Sequence, residues 1–188
     1  MKAMNYYGAK DLASSFRTVR KNTITIAEEI GEQHYGFSPA PDVRTVAQTL
    51  VHIGLSPRMA QQIHAVERRT KLEGFDFMGF MQKMVAEEKT PRNKAQITAF
   101  LREEGEKLAS WLDGQSDDFL GEKVTMPPGM QPASKTRFEM LLGLKEHEMH
   151  HRGQLMLIER MVGVVPHLTR EMQARMAQMN TQAAAKPA

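Results

Sequence analysis

The stretch Glu146-His147-Glu148-Met149-His150-His151-Arg152-Gly153-Gln154-Leu155 places three of the chain's seven histidines within five residues. His147 and His151 are four positions apart, so a helix would carry them one turn apart on nearly the same face. Two imidazoles at that spacing can bind one metal ion when another residue supplies a third ligand. A helix with several surface histidines is the alternative, and spacing alone does not separate the two interpretations.

The residues on either side indicate which face of this helix is buried. Apolar residues and the two histidines recur in steps of three and four, the period of one helix face, at Leu144, His147, His151, Leu155, Ile158 and Val162. Both histidines thus lie within an apolar stripe, where surface histidines are not expected. His150 lies about 60° to one side, so we assign it to the pocket edge or to contact with a ligand residue.

Three further segments have the helical period, so the sequence predicts an all-α fold built on a four-helix bundle. The first segment covers about residues 10–33. The second follows Asp42, the third follows Thr90, and the fourth, which carries the histidine pair, follows Ser134, each a typical N-cap residue. Gly163 ends the fourth helix. No segment shows the alternation expected of a β-strand.

The second helix carries the remaining candidate ligand, His52, on its apolar stripe. Burying several imidazoles together is costly unless each finds a partner, and one divalent ion would serve all of them. A lone buried His52 would more often be a core histidine with its own hydrogen bonds. His64 is rotated by about 120° from His52, so we expect it at the surface. Pro57 predicts a kink, or a restart of the helix with Ser56 as its cap.

The chain divides into a bundle, residues 1–166, and a C-terminal extension, residues 167–188. Within the bundle, residues 73–84 are apolar but interrupted by glycine, which indicates a short helix or a packed loop. The extension begins with a short amphipathic helix over about residues 167–180, and the low-complexity segment that follows is expected to be disordered.

Composition limits the chemistry of the site. The chain contains no cysteine, so a metal would be held by histidine and carboxylate. Zn²⁺ and Ni²⁺ suit imidazole best, and Fe²⁺ and Mn²⁺ stay open. The net charge is +3, from 25 basic and 22 acidic residues that are mostly interleaved, which argues against nucleic-acid binding. No apolar run reaches the length of a signal peptide or a membrane span, so we expect a cytoplasmic protein.

Residues beside the histidine pair are candidates for further roles. Three neutral imidazoles leave coordination positions open, where a metal can lower the pKa of a bound water or activate a thiol. Glu148 is a candidate for proton transfer or for orienting a ligand imidazole, and a solvated helix carboxylate is the alternative. Arg152 and Gln154 are placed to line the pocket and meet an anionic substrate.

Two motifs in order, Phe37 to Ile53 and His147 to Leu155, resemble the DinB/YfiT-like family. The resemblance spans about residues 10–166. It implies a four-helix bundle with up-down-down-up connectivity. It also implies a divalent metal held by His52, His147 and His151, one from the second helix and two from the fourth.

The same resemblance limits the function. Characterised relatives include bacillithiol S-transferases and mycothiol-dependent isomerases, in which the metal activates a low-molecular-weight thiol, and many members are dimers. We therefore expect a homodimer whose metal activates a small-molecule thiol toward an electrophilic substrate, or activates water in a hydrolase-like reaction. The alternative is a metal-stabilised stress-response or interaction protein without turnover.

Overall fold

Helices make up most of the computed structural model, which describes residues 7–184. The helices in chain order are α1 (Ala9–Glu29), α2 (Val46–Gln61), α3 (Phe77–Glu88), α4 (Lys94–Asp113), α5 (Asp117–Gly121), α6 (Arg137–Met161) and α7 (His167–Ala184). Two short strands, β1 (Lys123–Thr125) and β2 (Ser134–Thr136), pair in an antiparallel hairpin. The all-α four-helix bundle is confirmed, with α1, α2, α4 and α6 as its helices. No helix among the described residues is long and apolar enough to cross a membrane.

The order of the bundle helices follows from which pairs pack together. Helices α1 and α2 each pack against both α4 and α6, so helices that are consecutive in the chain lie diagonally across the bundle. Helices α1 and α4 are antiparallel, because Arg17 in the first half of α1 pairs with Asp113 at the end of α4, and Glu28 at the end of α1 pairs with Arg102. Helices α2 and α4 are parallel, because Gly54 lies against Phe100 and Arg58 pairs with Glu104.

Helices α2 and α6 are antiparallel. His52 in the first half of α2 meets His147 near the middle of α6, whereas His64 beyond the end of α2 meets Arg137 at the start of α6. The directions of the four helices are therefore up, down, down and up, which confirms the implied connectivity. Helix α3 belongs to the segment that returns the chain between the parallel helices α2 and α4.

The predicted N-caps Asp42, Thr90 and Ser134 were wrong by two or three residues. Each helix instead starts at a residue whose partner three positions later completes a capping box: Thr45 with Gln48, Asn93 with Gln96, and Thr136 with Glu139. The reciprocal pair satisfies two backbone N–H groups where a lone cap satisfies one. The residues that sequence reasoning chose lie in a left-handed turn, in the turn after α3, and in strand β2.

Helix α2 continues through Pro57 without a break, so the predicted restart with Ser56 as its cap was wrong, and the predicted kink stays a prediction. Proline removes the N–H that would bond the carbonyl of Ile53 four residues earlier. That carbonyl accepts instead from the Ser56 hydroxyl at 3.0 Å and from the Arg20 guanidinium at 3.3 Å. Because the freed acceptor has new donors, the proline leaves no unpaired carbonyl at this point of the helix.

The prediction that His64 lies at the surface was also wrong, since this residue is 1% exposed. The chain leaves α2 through a π-helical turn, Gln62–Val66, whose wider spacing changes the direction of each side chain. A projection at 100° per residue assumes that the α-helix continues. The Nδ1 atom of His64 accepts a hydrogen bond from Arg137 at 2.8 Å.

The remaining differences concern the ends of elements. Helix α1 stops at Glu29, before the predicted end, and a 3-10 turn follows. The segment predicted as a short helix or loop is confirmed as helix α3. Strands of three residues are too short to show alternation, so the hairpin was missed. Helix α7 extends to Ala184, four residues beyond the predicted end of the last helix, and residues 185–188 lie outside the described part, so the disordered tail stays a prediction.

One side chain from α1 connects the whole bundle. Arg20 is 4% exposed, and its guanidinium donates two hydrogen bonds of 2.9 and 3.1 Å from Nε to the Glu148 carboxylate on α6. It also donates to the carbonyl of Leu101 on α4 at 2.7 Å and to the carbonyl of Ile53 on α2. Gly105 on α4 allows this path, because a Cβ there would lie 2.7 Å from the Arg20 Cγ. Arg20 therefore bonds all three of the other bundle helices.

We expect Arg20→Ala to lower the free energy of unfolding by about 3–5 kcal/mol, because it leaves the fully buried Glu148 carboxylate without a cation. The matched control is Arg17→Ala, which removes solvent-exposed pairs with Glu106 and Asp113 and should cost about 0–1 kcal/mol for each pair. Urea unfolding followed by circular dichroism measures both. Equal, small losses in the two variants would contradict a bundle that depends on Arg20.

Candidate metal centre

The structure brings together the three histidines that the sequence singled out. His52 comes from α2, and His147 and His151 come from consecutive turns of α6. The Nε2 atom of His147 lies 3.1 Å from Nε2 of His52 and 3.2 Å from Nε2 of His151. One ligand atom from each residue lies within 4.8 Å of the other two. Three ring nitrogens on two antiparallel helices thus converge on one point.

In His52 and His151, a hydrogen bond at Nδ1, the nitrogen turned away from the cluster, fixes which ring nitrogen carries the proton. Nδ1 of His52 lies 2.5 Å from the Glu88 carboxylate, and Nδ1 of His151 lies 2.8 Å from the side-chain oxygen of Gln154. An acceptor at Nδ1 requires the proton there, so Nε2 of both rings presents a lone pair to the cluster. This is the arrangement in which ligand histidines are usually held.

Two of the three imidazoles, His147 and His151, have lowered pKa values that favour the neutral form. Burial, followed by the neighbouring His151 and His52, lowers the pKa of His147 to about 4. Burial also lowers the pKa of His151, although the hydrogen bond with Gln154 opposes this change. Neutral imidazole is the form that binds a metal, and no proton has to be displaced from His147 first.

A divalent cation fits this donor set. Three nitrogens at about 2.1 Å from one tetrahedral ion lie about 3.4 Å apart, close to the two distances of 3.1 and 3.2 Å. Without a cation, the Nε2 lone pairs of His52 and His151 would both point at Nε2 of His147. That nitrogen can donate at most one proton, so one of the two lone pairs would lack a donor. His147 also has a buried Nδ1 atom with no hydrogen-bond partner among the described residues. Coordination through Nε2 would give the Nε2 lone pairs of all three rings one common partner, and the proton of His147 would then be on Nδ1.

Glu88 is a site residue that sequence reasoning missed. It is 8% exposed, at the end of α3, and its second carboxylate oxygen accepts a hydrogen bond from Arg44 at 2.8 Å. Burial alone would raise the pKa of Glu88, but hydrogen bonds from Arg44 and His52 lower it, so the carboxylate is charged. The sequence contains one indication of this role. An acidic residue in the last turn of a helix is unfavourable, so Glu88 at the end of α3 needs a partner that compensates for its charge.

An open pocket of about 840 Å³ leads to this cluster. Its wall includes His151 and Gln154 from α6, Glu88 and Lys89 from the end of α3, and Arg44 from the loop before α2. The lining is polar and contains charges of both signs. A small polar molecule could therefore reach the histidine cluster from solvent.

The family model of the DinB superfamily matches residues 15–155, which is more than half of the chain. The chain belongs to the DinB superfamily. The match includes all three clustered histidines, although the model itself fixes only the family. Among curated proteins, none matches this chain significantly.

Solved structures of DinB-like proteins have the same fold. A DinB-like protein of Bacillus subtilis, YjoA, is 21% identical, with a TM-score of 0.60 over 81% of this chain and 91% of that chain. YfiT of Bacillus subtilis, described as a probable metal-dependent hydrolase with an unusual four-helix bundle topology, is 13% identical. Its TM-score is 0.64 over 87% of this chain and 93% of that one. A Bacillus cereus DinB-like protein gives 16% identity and a TM-score of 0.63 over 86% and 97%.

The other residues that the sequence predicted for the site do not contact the point where the three imidazoles meet. Glu148 is fully buried, and its hydrogen bonds go to Arg20 and not to the imidazoles. Gln154 lines the pocket and holds His151. His150 is exposed, and its ring lies 3.2 Å from the Gln154 amide nitrogen, so it supports Gln154. Arg152 is half-buried and is not part of the pocket wall.

We expect Glu88→Ala to weaken Zn²⁺ binding by about 10- to 100-fold, the usual effect of removing a carboxylate that orients a ligand imidazole. Glu87→Ala is the matched control, because the neighbouring Glu87 pairs with Arg58 and Arg92 and touches no clustered histidine. Competition with a chelating indicator dye measures both affinities. If Glu87→Ala and Glu88→Ala bind Zn²⁺ equally well, Glu88 has no such role.

Proposed function

We propose that this protein is a divalent-metal-dependent enzyme whose three-histidine site activates a low-molecular-weight thiol or a water molecule. The supporting observation is the convergence of three imidazole nitrogens beside an open polar pocket. A site of three protein ligands leaves a position for substrate, whereas structural sites are closed by four. The reaction is S-transferase-like if a thiol enters that position and hydrolase-like if water does.

In this proposal, residues of the chain hold the metal ion and keep the ligand imidazoles in orientation. His52, His147 and His151 would hold a divalent ion, with Zn²⁺ or Ni²⁺ the best match to imidazole and Fe²⁺ or Mn²⁺ as alternatives. The ion would supply Lewis acidity that lowers the pKa of a bound thiol or water. Glu88 and Gln154 keep two of the rings in the ligating orientation.

The pocket wall favours a particular kind of small molecule. Arg44 and Lys89 provide cations, and Asp42 and Glu88 provide carboxylates. Free cysteine and short cysteine-containing peptides carry both an amino group and a carboxylate, so a wall with both signs of charge suits thiols of this kind. The similarity to YfiT, which is described as a probable metal-dependent hydrolase, supports the branch that uses water.

A second candidate is a metal-stabilised stress-response or interaction protein without turnover. It would require a closed coordination shell, with no exchangeable position on the ion. His150 is the residue that could close the shell, but its ring contacts Gln154 and is exposed to solvent. The open pocket beside His151 therefore favours the enzyme. The expected homodimer stays a prediction.

We expect His151→Ala to lose both bound metal and activity, because the remaining two nitrogens hold a divalent ion far more weakly. Elemental analysis gives the metal content. A screen pairs cysteine-derived thiols with a generic electrophile and includes activated esters for hydrolysis. His34→Ala, a histidine outside the cluster, is the control and should keep both properties. Full metal stoichiometry in His151→Ala would overturn the assignment, and metal without turnover in wild type would favour the second candidate.

A further inference from the structure

A second pocket, of about 390 Å³, lies on the other side of the histidine cluster along the groove between α2 and α6. Its wall is almost entirely apolar and includes four methionines, Met59, Met126, Met130 and Met140, together with Leu72 and Phe77. Methionine side chains are flexible and polarizable, so they adapt to apolar ligands of different shape. The volume is within the range of small-molecule sites.

The position of this apolar pocket relates it to the metal centre. Ser56 on α2 and Leu144 on α6 both line the pocket. Ser56 is four residues after His52, and Leu144 is three residues before His147, so each lies one turn from a histidine on the same helix face. One turn is about 5.4 Å along the helix. A single molecule of modest length could therefore occupy the pocket and reach the metal.

One polar group, the imidazole of His64, faces this apolar pocket from its far end. The Arg137 guanidinium donates to Nδ1 of His64 at 2.8 Å and is itself held by Glu122 at 2.6 Å. Guanidinium is only a donor, so Nδ1 must accept and the ring proton must be on Nε2. No described residue is a hydrogen-bond partner of that Nε2–H, and Nε2 is not among the fully buried atoms that lack a partner, so the pocket can reach it. A donor on a mainly apolar wall needs an acceptor, which a ligand in the pocket would supply.

We propose that the apolar pocket binds the hydrophobic part of the substrate of the metal site, and that His64 Nε2–H donates to an uncharged oxygen acceptor such as a carbonyl. This inference rests on the proposed function, because a substrate requires an enzyme, but binding of a ligand in the apolar pocket does not depend on turnover. The ligand class is a mainly apolar, uncharged molecule with one carbonyl-type oxygen. The polar pocket beside His151 is left for the thiol or water. A charged acceptor is disfavoured, because the pocket wall is apolar and the Arg137 charge is already paired with Glu122.

Two small probes of similar size test the assignment directly. Benzylacetone has a phenyl ring and one carbonyl, whereas butylbenzene lacks the acceptor. Isothermal titration of Zn²⁺-loaded wild type should give about three- to tenfold tighter binding of benzylacetone, the range expected for one hydrogen bond. In His64→Leu the two probes should bind equally. Met126→Trp fills the pocket from the loop after β1 and should weaken both probes while the metal content stays unchanged.

Loading wild type with Mn²⁺ adds a readout of position, because the paramagnetic ion should broaden the NMR signals of bound benzylacetone. Equal affinities of the two probes in wild type, undiminished binding in Met126→Trp, or unbroadened signals would each overturn the proposal. The Met126→Trp result keeps the test decisive if His64→Leu fails to fold. Probe binding without turnover on any substrate would refute the proposed function and leave the pocket assignment standing as a ligand site.

Discussion

The buried Arg20 guanidinium is the interaction on which the rest of the structure depends. It joins α1 to the Glu148 carboxylate and to main-chain carbonyls of the other two bundle helices. Removing a charge pair from water is costly, and this cost is offset because each of the three guanidinium nitrogens donates to an acceptor. Glu148 adjoins His147, and Ile53 adjoins His52. The ion pair therefore fixes the two ligand-bearing helices relative to each other, and with them the spacing of the imidazoles.

Much of the fold was predictable from sequence because helix periodicity is a local signal. The stripe through His147 and His151 identified the inward histidines, and the structure places both in the cluster. Glu148 shows where this reasoning stopped: its neighbourhood suggested proton transfer, but its partner Arg20 is 128 residues away. Glu88 is likewise 36 residues from His52, and no local pattern connects them. His64 was misplaced because a π-helical turn cannot be read from a regular helical projection.

The groove between α2 and α6 combines two environments on either side of one histidine cluster. Toward Arg44 and Lys89 the wall is polar and charged, and toward the methionines it is apolar. In the proposed function, two reactants of opposite character would approach the histidine cluster from these two sides. The chain's antiparallel α2 and α6 make this arrangement, because one helix pair lines both pockets and supplies all three imidazoles.

The most direct test of the account is X-ray absorption at the metal edge of natively purified protein, after elemental analysis has identified the metal. The account predicts a stoichiometric divalent ion bound by three imidazole nitrogens, with a further light-atom ligand that a thiol replaces by sulfur on titration. A spectrum with a closed shell that no thiol changes, or native protein without metal, would contradict it.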